Sequence, residues 1–258
     1  MREGLKYRLE KLRKSTQDST VLQDLHSLRQ LEAPKVIMRG EELCSFAWED
    51  WNEIRKAFEN HADLPLHQWW KNVEDVHFES GSVRIGWRED KIYLLASMED
   101  QSVVTTAQRN GERLWELGDV VEIFIKSLDA SEYYELQVAP NGCTLQLRYP
   151  DASAITTLRG LKMKGWDRFI VHESIFSIRS RVDDKKWHVL VEIPGELLFF
   201  DHASLLGCSC RISVSRYDYW EDARSPHLSS TSPHSEMDFH RQKDWAVVEL
   251  VKPRPSIT

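Results

Sequence analysis

Four cysteines in 258 residues, no two of them in a CxxC pair, leave this sequence without a zinc-ligand spacing. Cys44, Cys143, Cys208 and Cys210 read as free thiols. Cys208 and Cys210 alternate with Ser209 in a strand-like stretch and share one face as small core residues. No apolar run approaches the ~18 residues of a membrane span. The opening MREGLKYRLEKLRKST is charged throughout and lacks the apolar centre of a secretory signal. With free thiols, this points to the cytoplasm and away from the membrane. A basic excess is missing too: 34 Lys and Arg against 41 Asp and Glu give a net charge of −7 and a pI near 5.8. Such a chain has no field to draw nucleic acid. Walker, GxGxxG, HExxH and GxSxG motifs are all lacking, which removes the common NTPase, dinucleotide, zinc-protease and serine-hydrolase signatures.

What remains is a soluble globular composition, 41% hydrophobic and 29% charged, with a mean hydropathy of −0.49. The chain is long enough to bury its core without disulfides. Its 10 Trp outnumber both Tyr and Phe, and Trp supplies flat binding platforms as well as core.

Residues 1–33 read as helix: Leu5, Leu9 and Leu12, then Val21, Leu25 and Leu28, follow helical spacing. Ser15 to Thr20 form a polar break, and Thr20 with Gln23 makes a capping box. The basic side of the first helix (Arg2, Lys6, Arg8, Lys11, Arg13, Lys14) is a solvated face, while the Leu stripe suits self-association or a protein partner. Pro34 ends this extension, so residues 1–34 stand apart from a domain at 35–258. One short helix fits at 49–60, with Trp51, Ile54 and Phe58 on one side. Thereafter come strand patterns at 82–87, 91–98, 119–126, 133–139, 143–149, 169–179, 187–193, 210–219 and 245–251. Many short strands point to an antiparallel β-sandwich, jelly-roll or immunoglobulin-like, with a helical N-terminal extension. The stretch 220–238 reads as a long polar loop.

Residues 119–149 permit a register argument. Asn141-Gly142 is a two-residue hairpin signal. It sets Ala139 against Thr144, Gln137 against Gln146 and Glu135 against Arg148, with Leu136, Val138, Leu145 and Leu147 on the opposite, apolar face. In the preceding strand Val121, Ile123 and Ile125 form the apolar set. A symmetric hairpin at 127–132 then brings Glu122 near Gln137 and Phe124 near Glu135. One sheet face thus carries Glu122, Phe124, Glu135, Gln137, Gln146 and Arg148. Planar polar groups beside an aromatic suit vicinal hydroxyls and an apolar ligand face, as in a sugar; a solvated face with one cross-strand ion pair is the plain alternative. Two carboxylates on adjacent strands also raise glycoside hydrolysis, against which Gln137 and Arg148 would keep both ionised, with no apolar pocket to make a general acid.

The segments WREDKIYLLASMED, LWELGDVVEIFI and YYELQVAPNG, followed by SRYDYW, SSTSP and FHRQKDWAVVELV, resemble the family 9 carbohydrate-binding modules of the DOMON-like β-sandwich group. The resemblance spans roughly 41–251, with its best motifs between 83 and 149. It implies non-catalytic binding of a saccharide, two aromatics sandwiching the sugar while polar groups grip its hydroxyls. Carried onto this chain, the first aromatic is Trp115 and the sheet carboxylate Glu122. The second aromatic position falls on Phe239, six residues before Trp245, where the best-known binder has Trp. That binder's Gln–x–Arg pair aligns with Glu135 and Gln137, so an Arg is lost, and Arg148 is placed to replace it. Arg216, Glu236 and His240 are secondary candidates. Arg216 either reaches the site or holds the sheet edge through a carboxylate. Some relatives bind haem through Met and His; here Met98 with His227, His234 or His240 would serve, but metal-type spacing is missing. No cofactor is implied, and the acids at 99–100 and 183–184 could hold a structural Ca²⁺ without offering ligand spacing. A structural or protein-interaction module working through residues 1–33 is the alternative function.

Overall fold

The computed structural model describes residues 37–200, 204–220 and 225–253. The helices expected within 1–33 lie outside them. The described residues form twelve strands in chain order: β1 (Ile37–Glu42), β2 (Leu64–Pro65), β3 (Gly81–Arg88), β4 (Lys91–Glu99), β5 (Val120–Ser127), β6 (Tyr133–Val138), β7 (Thr144–Tyr149), β8 (Ser177–Asp183), β9 (Lys186–Pro194), β10 (Ser209–Asp218), β11 (His227–Ser230) and β12 (Ala246–Val251). Ten of them make one curled sheet in the order β7-β6-β5-β10-β12-β1-β3-β4-β9-β8; β11 adds to β10 and β2 to β3. Pairing is antiparallel except at β1, which runs parallel to both β12 and β3 and joins the two halves.

Alternating apolar residues drive the curl. Val121, Ile123 and Ile125 on β5, Leu136 and Val138 on β6, and Ile212 and Val214 on β10 face Ile92, Leu94 and Met98 on β4 and Trp187, Val189 and Val191 on β9 in one core. Met98 is thus core. Each half also has an apolar outer face needing cover. Helix α1 (Trp51–Ala57), N-capped by Asp50 on the amides of Asn52 and Glu53, lays Trp51, Ile54 and Ala57 over Tyr93, Leu95 and Leu190. On the other half, α2 (Ala152–Gly160) sits with Ile155 and Leu158 in the cluster of Phe124, Tyr133, Leu145, Leu147 and Tyr149. Asp151 caps it through the amides of Ser153 and Ala154. The polar stretch 220–238 contains β11, and the strand expected at 169–179 begins only at Ser177.

The β6–β7 register corrects the sequence argument by one residue. Tyr134 pairs with Arg148, Glu135 with Leu147 and Leu136 with Gln146. Pro140 is the cause. Its fixed φ suits position i+1 of an Ala139–Gly142 turn, closed by the Gly142 amide on the Ala139 carbonyl, and Gly142 follows at φ +86° as the extra bulge residue. A two-residue Asn-Gly turn would have needed positive φ at Asn141 as well, and Asn141 is not in that region. Leu145, Leu147 and Tyr149 therefore share a face with Glu135 and Gln137, while Gln146 and Arg148 point the other way. The β5–β6 register agrees with the sequence: Glu122 opposite Gln137, Phe124 opposite Glu135.

Candidate functional site

The face built from β5 and β6 is the floor of a recessed cavity of about 330 Å³. Glu122 and Glu135 lie on the floor, 3% and 4% exposed, and the fully buried Gln137 lies between them. Its amide nitrogen donates to Glu122 Oε1 at 2.8 Å and to Glu135 Oε1 at 2.5 Å. Tyr149 from β7 and Tyr217 from β10 complete the floor, and the Tyr149 hydroxyl stands next to the Glu135 carboxyl. Ile155 and Arg159 of α2, Met163 beyond it and Leu228 of β11 form the sides; Met237 and Asp238 sit at the rim.

Two aromatics bound the space. Trp115 stands half-buried on a short 3₁₀ helix (Leu114–Glu116) anchored by buried Leu114, with Trp166 edge-on at 5.7 Å. Its mount is polar. The Tyr219 hydroxyl donates to the Trp115 carbonyl at 2.7 Å, and Asp119 accepts the amides of Tyr219 and Val104 at 2.6 and 2.5 Å. Phe239 is 5% exposed, packed among Phe124, Tyr217 and Trp70, so it is a buried wall with little free face. The Trp245 indole donates to the Phe239 carbonyl at 2.8 Å, which accounts for the six-residue spacing.

Burial dominates the electrostatics. It pushes Glu122 well above the usual carboxylate range, with the neighbouring Glu135 charge adding to the effect, and it pushes Glu135 up to about 7. Like charges this close and this dry keep a proton between them. Asp119 is raised to about 7, again by burial. His240 is depressed to about 3 by burial and is neutral; its Nδ1 shares a 2.8 Å hydrogen bond with the Tyr133 hydroxyl, and its Nε2 lies 3.7 Å from Glu135. Arg159 is held by Asp238 in a two-pronged pair at 3.0 and 2.8 Å.

Of the residues expected from the sequence, Trp115, Glu122, Glu135, Phe239 and His240 line this cavity, with Gln137 between the two acids. Three do not. Arg148 is on the far face of β7, paired with Glu132 at the surface and stacked on Tyr134. Arg216 is fully buried elsewhere, bonded to Asp100 and Asp218 at 3.0 Å each and to the Glu99 carbonyl at 2.8 Å, so it holds the sheet. Glu236, with its side chain 66% exposed, pairs with Arg241. The expectation that the carboxylates stay ionised in an open face is also overturned: Arg148 is absent from the site, and the enclosed floor raises both acids. Tyr149, Tyr217, Arg159 and Asp238 were missed. Asp151 followed by Ile155 and Leu158 was the available signal for α2, hence for Arg159. Away from the cavity, Glu79, Asp100 and Asp218 bring carboxylate oxygens within 4.8 Å of one another, with the Arg216 guanidinium already bonded to two of them. No described helix is long and apolar enough to cross a membrane.

Comparison with known proteins gives one family. The model of carbohydrate-binding family 9 matches residues 66–250. Among solved structures, a Bacteroides uniformis protein proposed to bind carbohydrate superimposes with a TM-score of 0.58 at 17% identity, covering 83% of this chain and 98% of that one. Two structures of a family 9 carbohydrate-binding module from Caldicellulosiruptor kristjanssonii, one with cellotriose and one with glucose, each give a TM-score of 0.57 at 10% identity. They cover 86% of this chain and 96% and 98% of the respective module. At such identities the likeness is one of fold. No protein of curated function matches the sequence.

Proposed function

We propose that this chain, which belongs to carbohydrate-binding family 9, binds a saccharide without altering it, in the cavity between Trp115 and Phe239. The observation that carries the reading is the cavity itself: a floor of Glu122, Glu135 and Tyr149 beside a half-buried indole, a shape that takes one sugar ring edge-down onto polar groups with an apolar face against Trp115. Carboxyls, phenols and a neutral histidine donate and accept, which suits hydroxyl groups. The module structures holding cellotriose and glucose are of the same fold. With one platform and a few hydrogen bonds of about 0.5–1.5 kcal/mol each, the dissociation constant is of micromolar to millimolar order.

Calorimetry or tryptophan fluorescence against mono- and oligosaccharides tests this, with Trp115→Ala in parallel. Saturable binding that weakens at least about tenfold in the variant is the expected result. Silence across the panel from the folded chain would refute it. The enclosed acid pair favours a second reading, glycoside hydrolysis, since a carboxyl raised by burial is what a general acid requires. Gln137 donates to both acids at once and so ties together the two groups that would have to act separately as general acid and nucleophile, which supports binding over turnover. Release of phenol from aryl glycosides, abolished by Glu122→Gln, would reverse that preference.

A further inference from the structure

Charge is the property of this cavity that hydroxyl recognition leaves unused. Glu122 and Glu135 share a floor that no free cation among the described residues reaches. Facing them are the Gln137 amide, the phenols of Tyr149 and Tyr217, the hydrogen-bonded Tyr133 and His240, and the Trp115 indole. Arg159 is the one Lys or Arg among the described residues lining the cavity, and both its terminal nitrogens are taken by Asp238. Glu135 Oε2 is buried without a hydrogen bond of ordinary geometry, although its carboxyl lines the open space. The cavity therefore holds three acids, a single arginine already neutralised by one of them, and an acceptor oxygen left over.

Two carboxyls confined in a dry site are stable only with a proton or a cation between them. Sugar hydroxyls bring hydrogen bonds but no charge. A sugar carboxylate would add a further negative group. A primary ammonium brings three N–H donors and a positive charge that can take the place of the proton held between the carboxyls. We infer that the preferred occupant is an amino sugar, a saccharide residue with a free primary ammonium group placed on Glu122 and Glu135. The inference rests on the saccharide reading above and narrows it. Its proton balance is definite: the ammonium enters with its proton, the carboxyl pair gives up the proton it held, and that proton passes to the buffer.

The experiment is calorimetry of the intact chain at about pH 6, where sugar amines are charged. It uses glucose, galactose and mannose skeletons, each as the 2-amino, 2-hydroxyl and 2-N-acetyl form, with glucuronate and galacturonate as acidic controls. In at least one set the amine should bind at least about tenfold tighter than its hydroxyl and N-acetyl counterparts, as a charge-assisted bond does over a neutral one. The uronates should not bind. Repeating the titration in two buffers of different ionisation enthalpy should show proton release with the amine alone. In Glu135→Gln, checked for folding by circular dichroism, the amine preference should collapse toward unity. Hydroxyl forms that bind as tightly as amines in every set would overturn the inference and leave the saccharide reading standing, as would an amine preference unchanged in Glu135→Gln. Failure of every sugar, neutral ones included, would overturn both.

Discussion

Replacing Glu135 by Gln should stabilise the protein above neutral pH and change its stability profile in a defined window. The buried carboxyl has its pKa raised from 4.5 to about 7, so between those values the folded chain holds a proton that the unfolded chain has lost. A group of this kind contributes full stability below pH 4.5, and that contribution is lost as pH rises through about 7. The size follows from the same two values: roughly 3 kcal/mol at pH 8, an upper figure, since Gln pays its own smaller desolvation. The Gln side chain is isosteric, and its carbonyl still accepts from Gln137. Removing the Glu135 charge also eases the ionisation of Glu122, an effect of the same sign. His240 and His234 pull the opposite way. Burial lowers them to about 3 and about 4, so their contribution is held above 6.5 and lost as pH falls. A single profile therefore mixes the two; the difference between variant and parent cancels the histidines.

The assay is urea unfolding of both proteins at half-unit steps from pH 4 to 9. The variant's advantage should be near zero below pH 4.5 and climb to its plateau by about pH 8, equivalent to roughly 6–12 °C in melting temperature for a domain of this size. A difference that stays flat across this range would refute the reasoning, because it would mean that Glu135 titrates as an exposed carboxylate and that the floor of the cavity is open to water.

Three further substitutions probe the frame around the site. Arg216→Met strands Asp100 and Asp218, both buried and raised by burial, and should cost about 3–5 kcal/mol in urea at pH 7. The loss should shrink near pH 5 as the acids protonate. Arg148→Ala breaks a surface pair with Glu132 and should cost under about 1 kcal/mol, with saccharide affinity unchanged within about twofold; a larger loss of affinity would show that Arg148 reaches the sugar after all. Gly118→Ala places a methyl 2.2 Å from the Val104 carbonyl at φ +140°, a conformation closed to alanine, and should destabilise by several kcal/mol while shifting the emission of nearby Trp115.

How far the sequence carries depends on what kind of fact is asked of it. Strands β5 and β6 alternate, and with a symmetric hairpin at 127–132 that alternation led to the observed pairing of Glu122 with Gln137 and of Phe124 with Glu135. In β7 the alternation is just as clean, yet it states only that Leu145, Leu147 and Tyr149 share one side and Gln146 and Arg148 the other. Which side meets the core is set by the turn, and there Pro140 outweighs Asn141-Gly142. The apolar side of β7 turned out to face the site because α2 covers it, and α2 was legible only from Asp151 and two apolar residues behind it. Arg216 posed a different difficulty. Of its two acidic partners Asp218 lies two residues on along the same strand, but Asp100 lies more than a hundred residues away. The family resemblance located Trp115, Glu122 and Phe239 but could not say how deep they lie.

Depth is what ties the parts of the site together. Leu145, Leu147 and Tyr149 on the outer face of the sheet need burying, and Ile155 and Leu158 of α2 bury them. The helix carries Arg159 to the rim, where its pair with Asp238 links it to the segment bearing Phe239 and His240. What would otherwise be an open sheet face becomes a recess, and the water that would solvate Glu122 and Glu135 is displaced. The raised pKa values of those acids are thus a consequence of apolar packing some residues away, with no special chemistry at the carboxyls themselves. The same packing takes Phe239 out of reach as a second platform and leaves Trp115 as the one accessible ring of the pair. On the proposed reading, recognition then moves from the walls to the floor: with stacking reduced to one side, discrimination among sugars would fall to the two acids and the groups that can satisfy them.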